Sequence, residues 1–121
     1  MAVAVDGASS AQTTPPGGTT LAWTSHTIGG SDRLLVVGVS PEPTNVTVSS
    51  LTYGAASLTF VGRPAATGSF AAIEIWRLIA PATGTATITI TVSGGTDFVG
   101  GAVSFTGVDQ TTPLGAFFSA T

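Results

Sequence analysis

The sequence predicts an all-β fold: an antiparallel β-sandwich of about eight or nine strands forming a single domain over residues 1–121. Three observations carry that prediction. From Thr83 to Val92 the chain alternates, with Ile88, Ile90 and Val92 on one side and Thr85, Thr87, Thr89 and Thr91 on the other, the two-residue period of a half-buried strand. Comparable short runs recur along the chain, separated by Gly, Pro, Asn and Asp clusters of the kind that turns require. No segment has a helical period, and 121 residues suffice for one core but not two comfortable ones.

Taken in order, a short strand at Ala2–Val5 leads into a Pro/Gly-rich loop over residues 7–20, centred on Pro15-Pro16-Gly17-Gly18. Strands are then expected at Leu21–Ile28, Arg33–Ser40, Val46–Tyr53, Ser57–Val61, Phe70–Ile79, Thr83–Val92 and Asp97–Thr106. The run from Leu34 to Val39 is apolar on both sides, which suits a strand in the middle of the core sheet. Neither side of Phe70–Ile79 is fully polar. With Ile73, Ile75 and Ile79 turned to the core, Phe70, Trp76 and Leu78 would form an outward apolar patch around Glu74, a surface that needs cover.

Composition narrows the function. Charged residues make up 7% of the chain, against roughly 25% in an average domain. The net charge is -3 and all three basic residues are arginines, so no basic patch exists for nucleic acid or an anionic membrane. Without cysteine there is no disulfide, thiolate nucleophile or Cys-ligated zinc, and without lysine no Lys-Asn crosslink. No apolar run approaches a membrane span, and residues 1–6 carry no signal-peptide pattern. Weak charge also removes the usual barrier to self-association.

Candidates for chemistry are few. His26 is the only histidine, and simple alternation places it opposite Leu21, Trp23 and Ser25. Alone it makes a poor metal site, and a Ser-His-Asp triad would have to use it without any Gly-x-Ser-x-Gly elbow. The carboxylates Asp6, Asp32, Glu42, Glu74, Asp97 and Asp109 show no spacing that pairs them for catalysis or calcium, and read as turn caps and ion-pair partners. No catalytic residue, metal or cofactor is expected. Trp23, Tyr53 and Trp76 form a candidate sugar platform, provided that at least two rings are exposed and coplanar. The Thr85–Thr91 ladder evokes ice-binding faces, but threonine on the wet side of one strand is ordinary β-propensity.

The runs Ser31–Ser40 (SDRLLVVGVS), Val48–Gly54 (VSSLTYG), Ile73–Trp76 (IEIW) and Gly101–Gly115 (GAVSFTGVDQTTPLG) resemble a jelly-roll-like β-sandwich module of bacterial extracellular, cell-surface and phage-associated proteins. The resemblance implies jelly-roll character and a location outside the cell, on its surface or on a phage particle. In longer relatives further strands follow the segment matching Gly107–Gly115, so a chain ending at Thr121 is expected to carry unpaired strand edges. The expected function is a non-catalytic structural module that self-assembles through β-edges and apolar patches into a filament, particle surface layer or oligomer. Phe70, Trp76, Leu78, Phe117 and Phe118 would form the assembly interface, with residues 114–121 as an assembly tail. The alternative is a carbohydrate-binding or adhesion module that meets a cell-surface or extracellular glycan through Trp23, Tyr53 and Trp76.

Overall fold

The computed structural model describes residues 2–13, 18–41, 45–64 and 72–118. Among these there is no helix, and nine strands run in order: β1 (Ala4–Gln12), β2 (Gly18–Ile28), β3 (Leu34–Pro41), β4 (Val48–Tyr53), β5 (Ala56–Ser57), β6 (Thr59–Gly62), β7 (Glu74–Ile79), β8 (Gly84–Thr96) and β9 (Phe98–Thr106). Strand β1 pairs with β9, β2 with β8, β3 with β7 and β4 with β5, all antiparallel. The chain is thus one long hairpin bent at the β4–β5 turn. Rolling it up brings β9 against β3 and β8 against β4, which yields a five-stranded sheet β1-β9-β3-β7-β6 and a four-stranded sheet β2-β8-β4-β5. This strand order is that of a jelly roll, with β6 added at one edge.

The two sheets share one core. Leu35, Val37, Val39, Phe98 and Ala102 from the first meet Leu21, Trp23, Leu51, Tyr53, Ile88, Ile90 and Val92 from the second. Burying each large apolar side chain contributes roughly 1.5–3 kcal/mol. The alternation of β8 sorts as its sequence predicts, isoleucines inward and threonines outward. Gly100 lets the sheets approach: a Cβ there would lie 2.5 Å from Ile90 Cδ1 and 3.1 Å from the Trp23 ring.

Four expectations need correction. The loop over 7–20 is largely strand, since β1 runs on to Gln12 against β9 and β2 begins at Gly18. Small residues from Gly7 to Ala11 carry no β-branched signature, so only pairing with a distant partner makes them a strand. The run 57–61 divides, because buried Leu58 carries the chain from β5 in one sheet to β6 in the other. His26 faces inward, because a register shift between Trp23 and His26 inserts an extra residue and reverses the alternation. Finally, the sides of β7 are exchanged. Leu78, Trp76 and Glu74 pair with Leu35, Val37 and Val39 and so face the core, leaving Ile75, Arg77 and Ile79 outside.

Gly100→Ala should destabilise the protein by about 1–3 kcal/mol, the usual cost of overpacking a tight core. Its neighbour Gly101 points outward, with no atom nearer to an added Cβ than Ser9 O at 4.0 Å, so Gly101→Ala should change stability by less than about 0.5 kcal/mol. Urea unfolding of both variants checks the contrast.

Candidate functional site

The outer side of the five-stranded sheet is the candidate site. Register aligns its side chains in rows across the strands: Val5-Phe105-Leu34-Ile79, then Ala8-Val103-Val36-Arg77-Thr59, then Ser10-Gly101-Gly38-Ile75-Gly62, then Gln12-Val99-Ser40. Arg77 is the only charged residue in these rows. Along the third row the absent side chains of Gly38 and Gly101 leave an apolar groove of about 260 Å³, walled by Ile73 and Val99, each 45% exposed. At the β6 end of the same row, the Phe117 ring covers Gly62 so closely that a Cβ there would lie 2.6 Å from it. Leu114, Gly115 and Phe117 border a second recess with Phe60, Val61 and Arg77. Phe118, the next residue, is 86% exposed.

Beneath this face lies a chain of hydrogen bonds that the sequence did not announce. Trp23 Nε1 donates to Ser9 Oγ at 2.8 Å, Ser9 Oγ lies 2.7 Å from His26 Nδ1, His26 Nε2 lies 3.1 Å from Ser104 Oγ, and Ser104 Oγ donates to Asp6 Oδ2 at 2.9 Å. Burial lowers the His26 pKa, only partly opposed by the Asp6 charge, so the ring is neutral and carries one proton. Because Ser104 has committed its proton to Asp6, it accepts from Nε2–H, and Nδ1 accepts from Ser9. Every bond then donates in one direction, from indole to carboxylate. The ring is 1% exposed, and Tyr53 packs edge-on against it with centroids 6.3 Å apart.

A serine and a histidine at this distance have the geometry of a nucleophile and its base, but the connectivity is not that of a triad. The carboxylate holds the serine on the far side of the ring rather than the ring itself, and the Ser9 oxygen is already engaged by the indole. The network joins β1, β2 and β9 across the two sheets. Neither serine had a sequence signal, since their partners lie 17 and 78 residues away in the chain.

A second interior cluster surrounds Glu74. Its Oε2 accepts from Arg63 Nη1 at 2.6 Å and from the Val48 backbone N–H at 2.9 Å, and its Oε1 accepts from Trp76 Nε1 at 3.2 Å. Arg63 also donates to Val46 O. The carboxylate therefore fastens β7 to β4 in the opposite sheet. Asp109 is a turn cap: its Oδ1 accepts from Thr111 N and Thr112 N, which holds its pKa below the usual carboxylate value.

Sequence reasoning placed the candidate residues less well. Trp23 and Tyr53 are only 8% and 3% exposed, so neither can stack on a sugar. Their polar tips find partners inside, the indole at Ser9 and the phenol at Gly84 O, which lets both rings bury. Trp76 and Leu78 pack against the core rather than forming an outward patch, and Trp76 meets Phe60 edge-on at 5.4 Å. Phe117 rests on its own β6, Phe118 is exposed, and Phe70 lies outside the described residues. On the outer face of the other sheet, threonines pair across strands, Thr27 with Thr85 at 2.6 Å and Thr24 with Thr87 at 3.3 Å. No family model, curated protein or solved structure matches this chain. Among the described residues no His, Cys, Asp or Glu cluster could hold a metal ion, and no helix is long and apolar enough to cross a membrane.

A lowered His26 pKa means that the unfolded chain binds more protons than the folded one below about pH 6.5. That stability is fully present above pH 6.5 and is lost as pH falls through the folded pKa. His26→Gln should lower stability at pH 7.5 by about 1–3 kcal/mol and flatten this acid limb. Urea unfolding from pH 7.5 to 5 reads both effects, and an unchanged limb in the variant would assign it elsewhere. Glu74→Ala should cost about 3 kcal/mol, because it strands buried donors on Val48 and Trp76 and removes the Arg63 partner; thermal unfolding measures the loss.

Proposed function

We propose that this protein is a non-catalytic structural module that associates with copies of itself through the outer face of its five-stranded sheet. The observation that carries the reading is that face: four rows of side chains, each crossing three to five strands, mostly apolar, with Arg77 as the single charge in them. Five strands at about 4.8 Å spacing, with eight residues rising about 3.3 Å each, span roughly 600 Å². A standard protein interface buries about 800 Å² on each partner, so one such face supplies most of a specific contact. The net charge of -3 offers little repulsion between copies.

At the β5 and β6 edges, face pairing fits better than the edge pairing that the sequence suggested. Strand β5 has two residues, and β6 has four with a register shift between Phe60 and Gly62 and Phe117 lying over its end. These two short or covered edges are poor templates for strand addition, while the opposite edges, β1 and β2, are nine and eleven residues long. The resemblance to bacterial extracellular and phage-associated modules supplies the setting, a cell or particle surface where a small, weakly charged subunit forms an oligomer, layer or filament. With Trp23 and Tyr53 buried, the glycan platform loses its support.

Sedimentation velocity across a concentration series should show a concentration-dependent oligomer. Val99→Glu and Val103→Glu, each placing a charge on the face, should shift it to monomer while leaving the unfolding free energy within about 0.5 kcal/mol. A wild-type chain that stays at 11.9 kDa at every concentration would overturn the reading.

A further inference from the structure

Resting on that self-association, we propose that the groove between β3 and β9 is a receptor for Phe118 of a second copy, and that two copies exchange these side chains reciprocally in a two-fold dimer. Among the described residues Phe118 is the most exposed of the large hydrophobic side chains, and its neighbour Phe117 is anchored on Gly62. The anchor and the groove lie on one register row, Gly62-Ile75-Gly38-Gly101. The groove floor, at Gly38 and Gly101, has no side chain of its own, and its walls at Ile73 and Val99 are apolar and exposed. A flat aromatic ring suits such a slot, since it buries a large apolar area with few rotatable bonds.

In the structure Phe118 does not fill its own chain's groove, since it is 86% exposed. Gly38 lies two strand spacings from Gly62, roughly 10 Å. One residue beyond Phe117 advances the backbone by at most about 3.8 Å. With Phe117 held on Gly62, the exposed Phe118 ring is free for the groove of another copy. Because donor and receptor sit on the same face, a two-fold axis parallel to that face, lying in the plane between the copies, turns the two faces toward each other and brings each Phe118 over the opposite groove. The contact is isologous and closes at two copies. The roughly 600 Å² of apolar face around the grooves comes together in the same encounter.

The test measures dissociation constants of the full chain by sedimentation for wild type, Phe118→Ala and Gly101→Val. The valine fills the groove, and no atom lies nearer to its Cβ position than Ser9 O at 4.0 Å, so the sheet accommodates it; circular dichroism and the unfolding midpoint verify that it folds. Each variant alone should dimerise about thirtyfold more weakly or worse, as when a buried aromatic anchor is truncated. An equimolar mixture of the two retains one intact docking, Phe118 of the valine variant in the open groove of the alanine variant. It should form a heterodimer tighter than either homodimer and weaker than wild type. Wild-type affinity in Phe118→Ala, or a mixture no tighter than its components, overturns the exchange while leaving face association standing. A monomeric wild type overturns both.

Discussion

The antiparallel ladder between β1 and β9 is the contact on which most of the architecture depends. It joins the two ends of the chain, and the Ser104–Asp6 bond that accompanies it spans 98 residues. Closing a loop of that length costs roughly 4 kcal/mol in chain entropy by the logarithmic scaling. What offsets it is concentrated at the same place. The ladder brings Ser9 and Asp6 to the ring of His26 and the hydroxyl of Ser104, so that buried polar groups on three strands satisfy one another. Remove β1 and His26 would keep its burial against Tyr53 but lose a partner for Nδ1, the state in which a buried polar atom costs most. Since β2–β8 and β3–β7 are also distant pairs, nearly all stabilising contacts are non-local, a topology that folds slowly.

The same rolled hairpin gives the molecule two unlike outer faces from one composition. On the four-stranded sheet, the threonines of β8 stand beside Thr24, Thr27 and Thr52, and hydroxyls pair across the strands. Water solvates such a surface without any charge. On the five-stranded sheet the outward positions of β3, β7 and β9 are Val, Ile, Leu, Phe and Gly, with Ser40 and Arg77 as the polar exceptions. With 7% charged residues in the whole chain, there is little to interrupt that face. The asymmetry gives the proposed association a direction: the apolar face would gain by leaving water, and the hydroxyl face would gain nothing comparable.

The fold was legible wherever one strand's own alternation decided its faces. In β8, Ile88, Ile90 and Val92 have no rival claim on the core, and the structure buries them. Strand β3 sits centrally, as its apolar run required. Legibility failed where the deciding partner was distant. Gly7–Gln12 is strand only because β9 lies beside it, and a bulge before His26 leaves no mark in composition. The candidate site was least legible of all. Its groove arises from Gly38 and Gly101, residues 63 positions apart in sequence that a register match sets side by side.

Strand β7 shows how the interior dictates the surface. Its two sides are about equally apolar, so hydrophobicity alone favours neither, and turning Glu74 outward would seem the cheaper choice. The inward orientation holds because three donors converge on that carboxylate, Arg63, the Val48 N–H and the Trp76 indole, in the inter-sheet space that the pairing with β3 provides. Once Glu74 is satisfied inside, Trp76 and Leu78 follow it inward by the two-residue period, and Ile75 and Ile79 have nowhere to go but out. The apolar outer face, with the groove beside Ile73, is therefore the counterpart of the ion pair that Glu74 of β7 makes with Arg63 on the inner side. A surface suited to meeting another molecule is set by a charge that never reaches it.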